Sequence, residues 1–172
     1  MRRWAAICIT ILAGACAMRG AAGRPIPVPE VVDGFLKLDF YWLSSYDFVR
    51  PAPDAPPGPG GRPDTGEGQI PGAIRKWDGA RAVLTGFMVP TNFRDGKTTE
   101  FLLMANLMLC CYGTVPKVND WVLVRIPSGA EVVQDRLLSF RGTFHVGAQV
   151  DGGIITAVYE MDADGPGRLA DQ

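Results

Sequence analysis

Between Arg81 and Met161 the chain is a series of short apolar segments separated by clusters of Gly, Pro, Asp and Asn, a spacing that suits strands. In Arg81–Val89 a period of two places Val83, Thr85, Phe87 and Val89 on one face and Ala82, Leu84 and Met88 on the other. Pro90 ends that strand, and Asp95-Gly96 is a tight-turn signal. Glu100–Met104 is a second strand, extendable towards Leu109. Trp121–Ile126 is a third, with Val122, Val124 and Ile126 on one side, and Pro127-Ser128-Gly129 turns the chain. Leu137–Val146 is a fourth, with Leu138, Phe140 and Phe144 as core candidates, followed by a turn over Gly147–Gly153. Ile154–Met161 is a fifth, with Ile155, Ala157, Tyr159 and Met161 on one face. Gly86 and Gly142 lie inside strands, where glycine marks a bulge or a bend. The pattern predicts a mainly β fold, a small five-stranded barrel of the oligonucleotide/oligosaccharide-binding-like (OB-like) kind over residues 69–163, with a β-sandwich as the alternative. Neither fold settles a function.

The rest of the chain divides by composition. Residues 1–17 have the order of an export signal: Arg2 and Arg3, an apolar run from Trp4 to Leu12, then Ala13, Gly14 and Ala15. The run is shorter than the ~20 residues needed to span a bilayer. Cys16 follows Leu12-Ala13-Gly14-Ala15 as an acylated cysteine would in a lipoprotein signal, and Ala15-Cys16-Ala17 equally fits ordinary cleavage. The expectation is a periplasmic or cell-envelope protein that touches a membrane only through a lipid on Cys16, if that residue is acylated. Residues 18–29 read as a flexible tether. Residues 30–50 are rich in aromatics, and Phe35, Leu38, Trp42, Tyr46 and Val49 recur at helical steps; extended packing on the barrel is the other arrangement. Residues 51–68, rich in Pro and Gly, predict an exposed, mobile loop, and residues 164–172 a tail. With 17 basic and 18 acidic residues the chain lacks the basic face that nucleic-acid binding needs.

Chemistry concentrates in Leu109-Cys110-Cys111-Tyr112-Gly113-Thr114-Val115-Pro116-Lys117-Val118-Asn119-Asp120-Trp121. Adjacent cysteines outside the cytoplasm have three uses. They close a labile vicinal disulfide, they ligate a soft or borderline ion such as copper or zinc, or they act as thiols activated by a neighbouring cation, for which Lys117 is the candidate. Two small buried side chains are the structural alternative. His145, the one histidine of the chain, is a candidate third ligand, with Glu100, Asp120 and Asp151 as the acids to complete a site. Tyr112, Lys117, Asn119 and Trp121 are candidate partner-binding residues. There is no Gly-x-Ser-x-Gly, His-Glu-x-x-His, Walker loop or Cys-x-x-Cys, and no catalytic residues are assigned.

Ile70-Pro71, Lys76-Trp77-Asp78-Gly79, Val83 to Pro90, Glu100 to Met104, Cys110-Cys111-Tyr112-Gly113, Pro116 and Asn119-Asp120-Trp121-Val122 together resemble the bacterial exported family called domain of unknown function 3299. The resemblance runs from about Val31 to Asp162. It implies an envelope protein, often a lipoprotein, with some members encoded beside ABC-transporter and metal-handling genes and no established enzymatic activity. Aligned on Cys110 and Asn119, Tyr112 stands where one branch of the family has a histidine ligand. Either Cys111 replaces that ligand or the site has lost its metal. The leading reading is a non-enzymatic envelope accessory protein that presents the vicinal-cysteine loop to a metal ion or to a membrane-transport partner, such as an ABC transporter. The alternatives are a thiol-redox protein using Cys110 and Cys111, and a structural adaptor for another envelope protein.

Overall fold

The computed structural model describes residues 25–52, 56, 61, 63–107 and 115–170. The fold is mainly β, an eight-stranded mixed sheet with few helical turns. Its strands are β1 (Val31–Val32), β2 (Phe35–Lys37), β3 (Ala80–Pro90), β4 (Lys97–Met104), β5 (Trp121–Glu131), β6 (Leu137–Asp151), β7 (Ile154–Ala163) and β8 (Arg168–Leu169). The strand order is β1-β2-β3-β4-β5-β7-β6-β8, and β3 also pairs with β6. The five long strands therefore pair in a circuit, β3 to β4 to β5 to β7 to β6 and back to β3, with β5–β7 parallel and the other four pairings antiparallel.

Period-two alternation decides which side of β3, β4 and β6 is buried, while β7 is buried on both faces from Ala157 to Met161. Ala82, Leu84 and Met88 of β3, Phe101 and Leu103 of β4, Val122, Val124 and Ile126 of β5, Leu138, Phe140 and Phe144 of β6, and Ile155, Tyr159 and Met161 of β7 all belong to one core cluster. Phe101 packs on Phe140 with ring centroids 4.9 Å apart, and Phe144 on Tyr159 at 5.7 Å. The Asp-Gly turn forms as its residues dictate. Asp95 and Gly96 both have positive φ, and Arg94 and Lys97 exchange two backbone hydrogen bonds.

Two turn signals prove to be bulges. Pro127-Ser128-Gly129 lies inside β5, where the register with β4 slips between Thr98 and Glu100. Pro127 has no N–H to give the ladder, and Gly129 takes a left-handed φ of 74°, so the strand kinks and continues. Likewise β6 runs through Gly147 with a slip between Val146 and Gln149, and the reversal falls later, at Gly152-Gly153. The β4 strand stops at Met104 and does not extend towards Leu109.

The aromatic segment departs from a helical face. Asp33 and Gly34, both at positive φ, reverse the chain between β1 and β2, and β2 lies parallel to β3. One helical turn follows, α1 (Phe40–Leu43), capped by the Asp39 carboxylate accepting from the Tyr41 N–H at 2.8 Å. The buried residues are Leu38, Phe40, Leu43 and Phe48, whereas Val49 is exposed. The end of the Pro/Gly-rich segment is packed and not loose. Gly66 is buried against Phe48 and Pro51, and the Gln69 amide makes two bonds to the Val49 backbone. A second helical turn, α2 (Gly72–Arg75), then delivers Ile74 and Trp77 to the core.

Gly142 sits where β6 is flanked by β3 and β7 at once, opposite Ala82 and Ala163. A Cβ there would lie 2.1 Å from the Asp162 carbonyl oxygen. Gly142→Ala should therefore destabilise the fold by at least ~2 kcal/mol, as overpacking against backbone does. Urea unfolding measures this, and a midpoint equal to wild type would contradict the close approach.

Candidate functional site

The connection between β4 and β5 carries the vicinal cysteines. Cys110, Cys111 and Tyr112 lie outside the described residues, as does Cys16. The two ends of the connection are described. They leave the sheet where Met104 pairs with Trp121. On the outgoing side Lys117 and Asp120 close a turn: the Lys117 N–H donates to the Asp120 carboxylate at 2.7 Å and the Asp120 N–H to the Lys117 carbonyl at 2.9 Å. The Lys117 ammonium is directed to Asp47, and its hydrogen bond and charge hold the Asp47 carboxyl below its ordinary range. Trp121 is half-buried against the core and donates its indole N–H to the Thr156 carbonyl at 3.0 Å.

Asn119 is fully buried, so it offers no surface to a partner. Its Nδ2 donates to the Tyr46 carbonyl at 2.9 Å and to the Leu43 carbonyl at 3.3 Å, and its own carbonyl accepts from Ser44 Oγ at 3.3 Å. Its Oδ1 is buried with no hydrogen-bond partner among the described residues. The Leu43 carbonyl, left over at the end of α1, also accepts from the Tyr159 hydroxyl at 3.1 Å. Tyr159 has one proton to give, so with that bond made the Tyr46 hydroxyl is the donor in the 2.8 Å contact between the two phenols. Burial pushes the Tyr46 phenol up to about 12, partly offset by its bond to Tyr159. Burial, reinforced by the charge and hydrogen bond of Tyr46, raises Tyr159 well above the ordinary tyrosine range. A single buried polar cluster thus ties residues 43–46, the outgoing end of the connection and β7 together.

His145 stands on β6, and β7 separates that strand from β5. Its Nε2 is 3.1 Å from Asp162 and its Nδ1 4.0 Å from Asp78, whose carboxylate also accepts from the Val146 N–H at 2.8 Å. Asp78 and Asp162 are the acids beside it, in place of the Glu100, Asp120 and Asp151 expected from sequence. Glu100 instead joins Arg125, which also pairs with Glu160 across the same sheet. Among the described residues no group of three or more His, Cys, Asp and Glu side chains is arranged to hold a metal ion. No described helix is long and apolar enough to cross a membrane.

Beside the connection opens a pocket of about 780 Å³. Phe40, Tyr41, Trp42 and Tyr46 form one wall, Ile26, Pro71 and Ala73 contribute apolar surface, and Ala105, Asn106 and Asp120 come from the two ends of the connection. Nothing in sequence spacing announced this pocket. The sole hint was the aromatic richness of residues 30–50, which reads equally well as core.

The family model for proteins of unknown function DUF3299 matches residues 69–165, which take in β3 to β7 and the whole cysteine-bearing connection. The crystal structure of a DUF3299 family protein from Pseudomonas aeruginosa PAO1 is similar at 25% identity with a TM-score of 0.50, covering 80% of this chain and 99% of that one. No curated protein matches. The chain belongs to the DUF3299 family.

Asn119→Ala should cost ~1–3 kcal/mol, because it strands the Tyr46 carbonyl and removes a bond from Leu43. It should also speed proteolysis within residues 40–50; unchanged stability and cleavage would show that the cluster is not a clamp. The phenols add a pH dependence. Both are neutral in folded and unfolded chains below pH 10. Above it the unfolded chain releases its tyrosine protons first, while folded Tyr46 keeps its proton up to about 12, so stability falls as pH rises through that window. Tyr46→Phe should flatten this decline in urea melts at stepped alkaline pH, and a decline as steep as wild type would rule out the assignment.

Proposed function

We propose that this chain is an exported, non-enzymatic accessory protein of the cell envelope whose working part is the Cys110-Cys111 connection. In this reading residues 1–17 direct export and Cys16 tethers the mature protein if it is acylated. The five long strands form an OB-like barrel, a reading supported by their circuit: numbered one to five along the chain they pair in the order 1-2-3-5-4-1, with the third and fifth parallel. Such a barrel serves as a rigid mount, and its connections carry the function.

The observation that carries the reading is the burial of Asn119. A side-chain amide sealed from water, with both described bonds to the carbonyls of residues 43 and 46, anchors the end of the connection that follows the cysteines. An anchored loop with two adjacent soft donors suits capture of a thiophilic ion, copper(I) or zinc, and its transfer to a membrane-transport partner. A redox role for the same pair, and an adaptor role, would need no bound ion.

The test is titration of the reduced mature chain with copper(I) and zinc against a chromophoric chelator, beside Cys110→Ser/Cys111→Ser. Wild type should take up one ion and the double variant none. The variant's melting temperature should fall by no more than about 2–4 °C, the shift of ~1 kcal/mol in a chain of this size, because a vicinal bridge closes almost no loop and constrains the unfolded chain little. Equal metal uptake by both proteins, or none by wild type, would overturn the proposal.

A further inference from the structure

The pocket beside the connection has a chemical character of its own, independent of the cysteines. We propose that it binds an organic cation, a trimethylammonium-type headgroup carried on an apolar body. Consecutive residues of α1, Tyr41 and Trp42, meet edge to face at 85° with ring centroids 4.8 Å apart, and both line the pocket. Tyr46 adds a third ring, held by its hydroxyl bond to Tyr159. Faces of this kind attract a cation through their negative quadrupole, and Trp does so best.

The charges agree with the rings. Asp120 is the one ionisable acid or base with a formal charge among the described lining residues, and no Lys or Arg is among them. The neighbouring base, Lys117, turns its ammonium to Asp47 and gives Asp120 only a backbone N–H, to one carboxylate oxygen. An anion entering here would meet a carboxylate with no counter-charge among the described lining residues. A neutral apolar ligand would strip water from Asp120 and return nothing. A cation satisfies both the carboxylate and the rings, while Ile26, Pro71 and Ala73 receive its apolar part. The volume of about 780 Å³ lies within the range of small-molecule sites.

The experiment compares choline with its uncharged isostere 3,3-dimethylbutan-1-ol, by calorimetry and by chemical shifts of the tryptophan indole N–H groups. Choline should bind at least ~10-fold more tightly, the scale of a cation–π contact at a part-desolvated site. Asp120→Asn keeps the acceptor for the Lys117 N–H and removes the charge; it should weaken choline ~10-fold and leave the alcohol unchanged. Tyr41→Leu, at an exposed ring, tests the aromatic wall without touching the core and should also weaken choline selectively. Equal binding of the two probes, no binding of choline, or full choline affinity in Asp120→Asn would each overturn the proposal.

Discussion

Eight consecutive residues of β3 pair with eight of β6, from Ala80 opposite Phe144 to Phe87 opposite Leu137, and much else hangs on that seam. Without it the five long strands would form an open sheet with two long unpaired edges, each a template for aggregation. With it, the inner faces of all five turn on one another, and Phe101, Phe140, Phe144 and Tyr159 meet in one core. On the other side of β6 the backbone of β7 comes close, which is why Gly142, opposite Ala82 on one side and Ala163 on the other, carries no side chain. The short strands β2 and β8 then occupy stretches of β3 and β6 that β4 and β7 leave uncovered.

Residues 38–48 add Leu38, Phe40, Leu43 and Phe48 to this core, and polar chemistry does the fastening. A four-residue helical turn cannot satisfy its own last carbonyls. Here Leu43 receives Tyr159 from β7 and Asn119 from the β4–β5 connection, so the same acceptor locks the covering segment to the sheet and to the loop. The arrangement also shapes the aromatic pocket: Phe40 and Leu43 fill the core, Trp42 packs against its margin, and Tyr41 is left exposed beside it.

Much of this was legible in the chain. The core residues named for β5 and β6 followed from the period of two, which also split β3 into two faces without saying which is buried; β7, buried on both faces from Ala157 to Met161, exceeds that rule. The bulges were not legible, because Pro127-Ser128-Gly129 and Gly147 are the same residue types that end strands, and only pairing with β4 or β7 distinguishes a kink from a stop. The spacing of Phe35, Leu38, Trp42, Tyr46 and Val49 suggested one helix because apolar residues at such steps suit it, whereas Asp33-Gly34 and Asp39 cut the segment into a reversal, a strand and a single turn. The clamp is illegible in principle from one sequence: Asn119 and Tyr46 are 73 residues apart, Tyr46 and Tyr159 113, and no local rule couples them. Cys110 and Cys111 stood out by type alone, while the acids beside His145 were decided by strand register.

The parallel pairing of β5 with β7 has a consequence in time. The β3–β4 and β6–β7 hairpins close over a few residues, but the β5–β7 ladder and the β3–β6 seam join segments separated by dozens of residues, with the corresponding loop entropy to overcome first. Topologies dominated by such non-local pairs fold slowly, on the scale of ~milliseconds to seconds. The two hairpins should therefore form early and wait for each other, and the circuit should close last. Late closure would leave the long edges of β3 and β6 unpaired until the last step, the stage at which the chain is most open to pairing with another copy of itself.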